Sequence, residues 1–271
     1  MTRRSWLVVL GTWIGLVASR LGTGRATAQV TAVRKPYQSY RVDGAGALAL
    51  WERLRAEDAG YPVILGSPAD AEMALLNLEE GISLAPEVMT RAATVRFPED
   101  LRALRFAERG NIRARLEPED RARWDEDWAE PEVGEWPLDD ISTSAEPGVV
   151  RDGADQTYRD VVIVVLPTRD MAEVFAMLRY SPGDYETVCP VEHHIAATRH
   201  WQTEWGFELV ACARGTIEGR VKRRPTTQAA ALLLAREQSF YCPDLVQQLY
   251  PSLTHVAAMG MADDWWYFWW D

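Results

Sequence analysis

Hydrophobic positions switch between a helical period and an extended one along this chain, and the switches mark out its elements. Leu48, Leu50, Trp51 and Leu54, with charged residues between them, predict an amphipathic helix from Ala45 to Glu57. Gly60 supplies a stop, and Tyr61–Gly66 follows as a short apolar run of strand length. Ser67-Pro68 then caps a second helix predicted to reach about Leu78, with proline in the first turn, where its missing N–H costs nothing. From Ile82 to Leu116 short helical and strand-like pieces mix and set no clear order.

The second half opens on Val161–Leu166, a β-branched run of the kind that fills a central, doubly covered strand. A helix is predicted from Asp170 to Leu178. The stretch Pro190–Trp205 puts Val191, Ile195, Thr198, Trp201 and Trp205 on one helical face, and Gly206 ends it. Residues 207–213 and 216–221, joined by Arg214-Gly215, predict a β-hairpin. An alanine-rich helix from Thr227 to Tyr241 and shorter ones over Asp244–Leu249 and Ser252–Met261 lead to the tail Trp265-Trp266-Tyr267-Phe268-Trp269-Trp270-Asp271. Alternation in an extended tail buries Trp265, Tyr267 and Trp269 on one face and leaves Trp266, Phe268 and Trp270 on the other. Each large aromatic can bury on the order of 150–250 Å². Either helices cover both faces, or one face lines a pocket or a partner surface. The elements together predict an α+β fold: a mixed small sheet with packed helices in each half.

Charge divides the chain further. The segment 116–158 holds 14 acidic residues against 3 arginines, a local charge of −11 equal to that of the whole 271-residue protein. With Pro118, Pro131, Pro137 and Pro147 it reads as an irregular acidic linker, and Trp124, Trp128 and Trp136 should dock it on the folded parts. The net charge argues against general affinity for nucleic acid. At the N-terminus, Arg3-Arg4 followed by Trp6-Leu7, a diluted apolar run and Ala26-Thr27-Ala28 match a twin-arginine export leader cleaved near Gln29. No apolar run of about 20 residues follows it, so no further membrane span is expected. The predicted layout is a signal peptide (1–28), an N-terminal α/β unit (29–115), the acidic linker (116–158) and a C-terminal α+β domain (159–271). The expected location is periplasmic or secreted.

Candidate chemistry is sparse. No Gly-x-x-x-x-Gly-Lys loop, Gly-x-Gly-x-x-Gly turn or Gly-x-Ser-x-Gly elbow occurs. Three cysteines allow at most one internal bridge, for which Cys189 and Cys242 are the candidates; otherwise all three are free, with Cys212 a small core residue. His193 and His194 diverge by about 100° on a helix, and His200 lies roughly 10 Å from His193 along the axis. That excludes a shared zinc between those two, although Cys189, Cys242 and one of the paired histidines can be drawn together. Asp125-Glu126-Asp127 and Asp263-Asp264 lack calcium-loop spacing and read as solvated charge. Arg220, Lys222, Arg223 and Arg224 form a basic strand end, able to face the acidic segment or grip a phosphate. No metal and no cofactor is expected.

The order Trp201, Gly206, hairpin, Arg224-Pro225, Tyr241-Cys242-Pro243-Asp244 and terminal Trp266-Tyr267-Phe268-Trp269-Trp270-Asp271 resembles the bacterial family named domain of unknown function 4253, over roughly residues 160–271. The unit around Trp51 and Pro62–Leu65 is similar to the N-terminal part of its longer members. The resemblance implies that Trp201, Gly206, Cys242, Pro243, Asp244, Trp269, Trp270 and Asp271 carry the family pattern, and it brings no reaction with it. The expected function is a non-catalytic binding or protein-interaction module exported across the inner membrane, with a protein as its candidate partner. The alternative is a hydrolase-like enzyme that uses His193 or His194 with Asp244 beside Cys242.

Overall fold

A computed structural model describes residues 35–127, 131–137, 141, 143, 147–151, 156–182, 189–213 and 215–270. The leader, Trp128, Arg214 and Asp271 lie outside the described residues. Lys35–Asp271 forms one compact unit.

The strands are β1 (Gln38–Val42), β2 (Tyr61–Gly66), β3 (Val161–Leu166), β4 (Glu208–Ala213), β5 (Thr216–Arg220) and β6 (Trp265–Trp269). The helices are α1 (Gly44–Glu57), α2 (Pro68–Ala92), α3 (Glu99–Arg115), α4 (Pro118–Asp127), α5 (Glu173–Leu178), α6 (Val191–Trp205), α7 (Gln228–Tyr241) and α8 (Leu253–Ala262). A 3-10 turn at Gly148–Val150 and a π-helical turn at Leu245–Leu249 complete the order. The fold is α+β with a mixed sheet. Strands from both halves share that sheet, in the order β1-β3-β2-β4-β5-β6. All neighbours are antiparallel except β2 and β4, which run parallel.

Strands β2 and β3 are central, and every one of their residues is buried, as their continuous apolar runs require. Alternation sends Tyr61, Val63, Leu65, Val162, Val164 and Leu166 into the main core, which α2 and α5–α8 also fill. Ile64, Val161, Ile163 and Val165 face the other way, against Ala47, Trp51 and Leu54 of α1. Trp51 anchors that face further by donating its indole N–H to the Pro62 carbonyl at 2.9 Å.

Helix α2 starts where the sequence predicts, in a capping box between Ser67 and Asp70, but it continues past Leu78 to Ala92 with Pro86 inside it. Gly81 and Pro86 dilute the helical signal, yet Gly81 has a packing reason. A Cβ there would sit 1.9 Å from the Met177 carbonyl oxygen, so glycine lets α2 press against α5. The unassigned stretch beyond it is the end of α2 and all of α3.

The aromatic tail forms an edge strand paired with β5. Alternation holds, but the more deeply buried face is the one carrying Trp266, Phe268 and Trp270, which are 4%, 1% and 3% exposed. They enter the main core beneath α6, α7 and α8. Of the expected buried set only Trp265 is buried; Tyr267 and Trp269 are half-buried. Their side of the sheet is covered by the short 148–150 turn, which Glu218 of β5 holds by accepting N–H bonds from Gly148 at 2.7 Å and Val149 at 2.8 Å. Trp265 Nε1 supplies the third donor to the same carboxylate, at 2.9 Å.

The acidic segment contains α4, tied to α3 by the paired bonds of Arg113 to Asp125 at 2.6 and 2.7 Å. Residues 131–137 hook onto the start of α8, where Leu253 and Thr254 N–H donate to the carbonyls of Glu132 and Val133. Trp136 packs half-buried against the core, in keeping with its expected docking. The basic run has local partners. Arg220 pairs with Glu52 and lies over the Trp265 ring. Arg223 donates to the Thr203 and Glu204 carbonyls and Arg224 to that of Ala262, covering the C-terminal ends of α6 and α8.

Candidate functional site

The histidine–cysteine–aspartate group predicted from sequence does not assemble into a reacting set. Pro190 precedes α6, whose pitch turns His194 inward and leaves His193 half-buried. His194 is fully buried; its Nδ1 lies 2.5 Å from the Tyr241 hydroxyl, and its ring stacks on Phe175 at 5.7 Å. Burial lowers its pKa to about 3, so it is a neutral core group. Cys242 donates its thiol hydrogen to the Trp269 carbonyl at 2.9 Å, and burial pushes its pKa up. Asp244 accepts from Gln248 at 2.8 Å. His194 is engaged by Tyr241, Cys242 by Trp269 and Asp244 by Gln248, whereas an activated nucleophile needs its base in reach.

All three cysteines are free and buried, and burial pushes Cys189 up to about 12, which makes it a poor nucleophile. No group of three His, Cys, Asp or Glu able to hold a metal exists among the described residues. The family-pattern residues have mostly structural roles. Trp201 is fully buried and stacks on Phe268 at 5.2 Å. Gly206 ends α6 at φ 68°, a left-handed value that glycine adopts freely. Trp270 lies in the core, Trp269 is half-buried on the edge strand, and Asp271 is outside the described residues.

Pro243 leads elsewhere. It lines a pocket of about 350 Å³ between α3, α7 and residues 131–133. Helix α3 presents Arg102, Arg105 and Arg109 at spacings of three and four, hence on one face, and Arg236 joins them from α7. Phe106 and Phe240 form an aromatic wall with centroids 6.4 Å apart. The Arg102 guanidinium lies 5.5 Å from the first centroid and 5.0 Å from the second. Arg105 donates one Nη2 bond to the Tyr241 carbonyl at 3.2 Å, while its Nε is buried without a partner.

No carboxylate among the described residues forms an ion pair with these four arginines. Asp125 is held by Arg113, with a weaker attraction from Arg109, and Asp100 is held by Arg96. Glu108 carries a pKa raised by burial, which Arg105 only partly offsets. The pocket therefore combines apolar walls with positive charge that no carboxylate of the described residues pairs. Its signal was present in sequence as Arg102, Arg105, Phe106 and Arg109, but the partner wall comes from α7, far along the chain.

That far wall lies in a stretch that matches a family model. Residues 162–271 match DUF4253, a domain of unknown function. The expected resemblance therefore holds over the C-terminal portion. No curated protein and no solved structure matches the chain. The DUF4253 region contributes Arg236, Phe240, Pro243 and Val246 to the pocket, whereas the arginine stripe of α3 lies before it. None of the described helices is long and apolar enough to cross a membrane.

Proposed function

We propose that this protein is a non-catalytic binding module, exported across the inner membrane, whose pocket between α3 and α7 takes an anionic ligand. The observation that carries this reading is four arginines around one pocket with no carboxylate of the described residues paired to them. Like charges at three- and four-residue spacing on a helix repel one another, so the stripe does not serve the helix itself. The volume lies near the lower end of the range for small-molecule sites, which favours a small ligand over a protein segment at this position. Buried, protonated thiols and a neutral core histidine favour binding over covalent chemistry. The arginine pair and the small-residue cleavage pattern of the leader support export.

Melting the mature chain against a panel of small anions and their neutral counterparts tests the site. At least one anion should raise the midpoint, and the rise should disappear in Arg102→Gln/Arg109→Gln; a panel without effect refutes the reading. Replacing Arg3 and Arg4 by lysine should retain the protein in the cytoplasm, and unchanged fractionation would refute export. A protein partner is the second reading, favoured by Tyr267 and Trp269, which stand half-buried on the edge strand.

A further inference from the structure

Resting on that anion-pocket reading, we infer that the ligand is a small organic acid with a flat apolar body, held by its carboxylate or phosphate on the arginines. A bare inorganic anion would need the guanidiniums alone. Here the pocket also carries Phe106 and Val133, 47% and 43% exposed, large apolar side chains that a site for a fully hydrated ion has no use for.

The walls also dictate shape. The Phe106 and Phe240 rings and the Arg102 guanidinium packed on them are all planar, and planar groups gain most from a planar partner. Stacking occupies the face of Arg102 and leaves its N–H edge available, the edge that grips a carboxylate or phosphate with two parallel bonds. Along α3, Arg102 and Arg109 stand seven residues apart, roughly 10 Å at 1.5 Å per residue. That separation gives the acidic group a seat beyond the rings, with the apolar body stacked on one phenyl ring and meeting the other at an angle, since the two planes are tilted by 56°. Arg105 lines the pocket between the two arginines, one turn from each. A volume of about 350 Å³ suits a one- or two-ring body rather than a long acyl chain.

Calorimetric titration of the full mature chain with three probes tests this: 2-naphthoate, 2-naphthylmethanol and inorganic phosphate. Naphthoate should bind at least about tenfold tighter than either of the others, since a charge-assisted pair and a buried ring system must both be satisfied. Equal binding of naphthoate and phosphate overturns the flat-body inference but leaves the anion site standing. Equal binding of naphthoate and naphthylmethanol overturns both, because the arginines then contribute nothing. Binding of none of the three overturns the flat-body inference, and the anion panel then decides the broader reading separately.

Arg102→Gln/Arg109→Gln should weaken naphthoate at least about tenfold at an unchanged melting midpoint. A second readout needs no variant. Raising salt from about 50 to about 500 mM should weaken naphthoate and spare naphthylmethanol, and a salt-independent naphthoate affinity would count against the arginine contact.

Discussion

Tyr241 and Phe240 are neighbours at the end of α7 and face opposite worlds. Tyr241 is fully buried among Trp201, Phe268 and Trp270, with ring centroids 5.0 to 5.3 Å away and its hydroxyl on His194. Phe240 stands in the pocket wall beneath the Arg102 guanidinium. On the first side rings are packed edge to face and stacked, and ionisable groups are held neutral. On the second side, positive charges stand together without carboxylate partners among the described residues. The contrast teaches that this short stretch of family pattern serves two ends: Tyr241 and Cys242 stabilise the interior, while Pro243 shapes a surface site. Residues dense in aromatics mark where the fold is held, and residues that weaken their own helix mark where a ligand is expected.

The sharpest way to break this contrast is to hollow the interior side. Trp201→Ala should cost about 3–5 kcal/mol in chemical denaturation, as for other fully buried large aromatics. A loss under about 1 kcal/mol would mean that the interior is not held by its rings. Acid offers a second attack on the same side. His194 has a folded pKa near 3, below its ordinary 6.5. The unfolded chain therefore binds the proton more readily, and stability is present above about pH 6.5 and lost as pH falls towards 3. The slope should reach about 1.4 kcal/mol per pH unit from this group alone. Denaturation midpoints between pH 7 and 4 should fall less steeply in His194→Asn, and parallel curves would exclude His194 as the sensor.

Glu218 tests the opposite face of the sheet. Its carboxylate accepts three N–H bonds, and an amide cannot accept all three without turning its own N–H₂ towards a donor. Glu218→Gln should lose about 1–3 kcal/mol and loosen residues 148–150, which hydrogen exchange at Gly148 and Val149 would report. The smallest effect belongs to the pocket. Arg109→Gln should change stability by less than about 0.5 kcal/mol, because it removes a repelling charge and no ion pair of the described residues. A large loss would turn the arginine stripe into a structural feature.

Much of the local structure was legible along the chain. Strands β2 and β3 occupy the spans their apolar runs predict, because a strand buried on both faces needs nothing but continuous hydrophobicity. Gly206 marked the end of α6 and Ser67 the start of α2, since both act through backbone geometry within a few residues. The length of α2 was not legible. Gly81 and Pro86 look like breakers until α5 is placed against Gly81, and only that contact supplies the packing that outweighs propensity.

The candidate site divides in the same way. His193, His194, Cys242 and Asp244 are close in sequence or in predicted fold, and nothing local says that His194 and Cys242 turn inward to Tyr241 and Trp269. The pocket needs Arg105 and Tyr241, 136 residues apart, to meet. By itself the sequence determined the class of fold, the central strands, the helix caps and the family resemblance of residues 162–271, all of which follow from periodicity or from motifs read in order. Only the tertiary structure decided the strand order, which face of the aromatic tail is deeper, and where the arginines gather around one pocket, because each depends on which distant surfaces are brought together to exclude water.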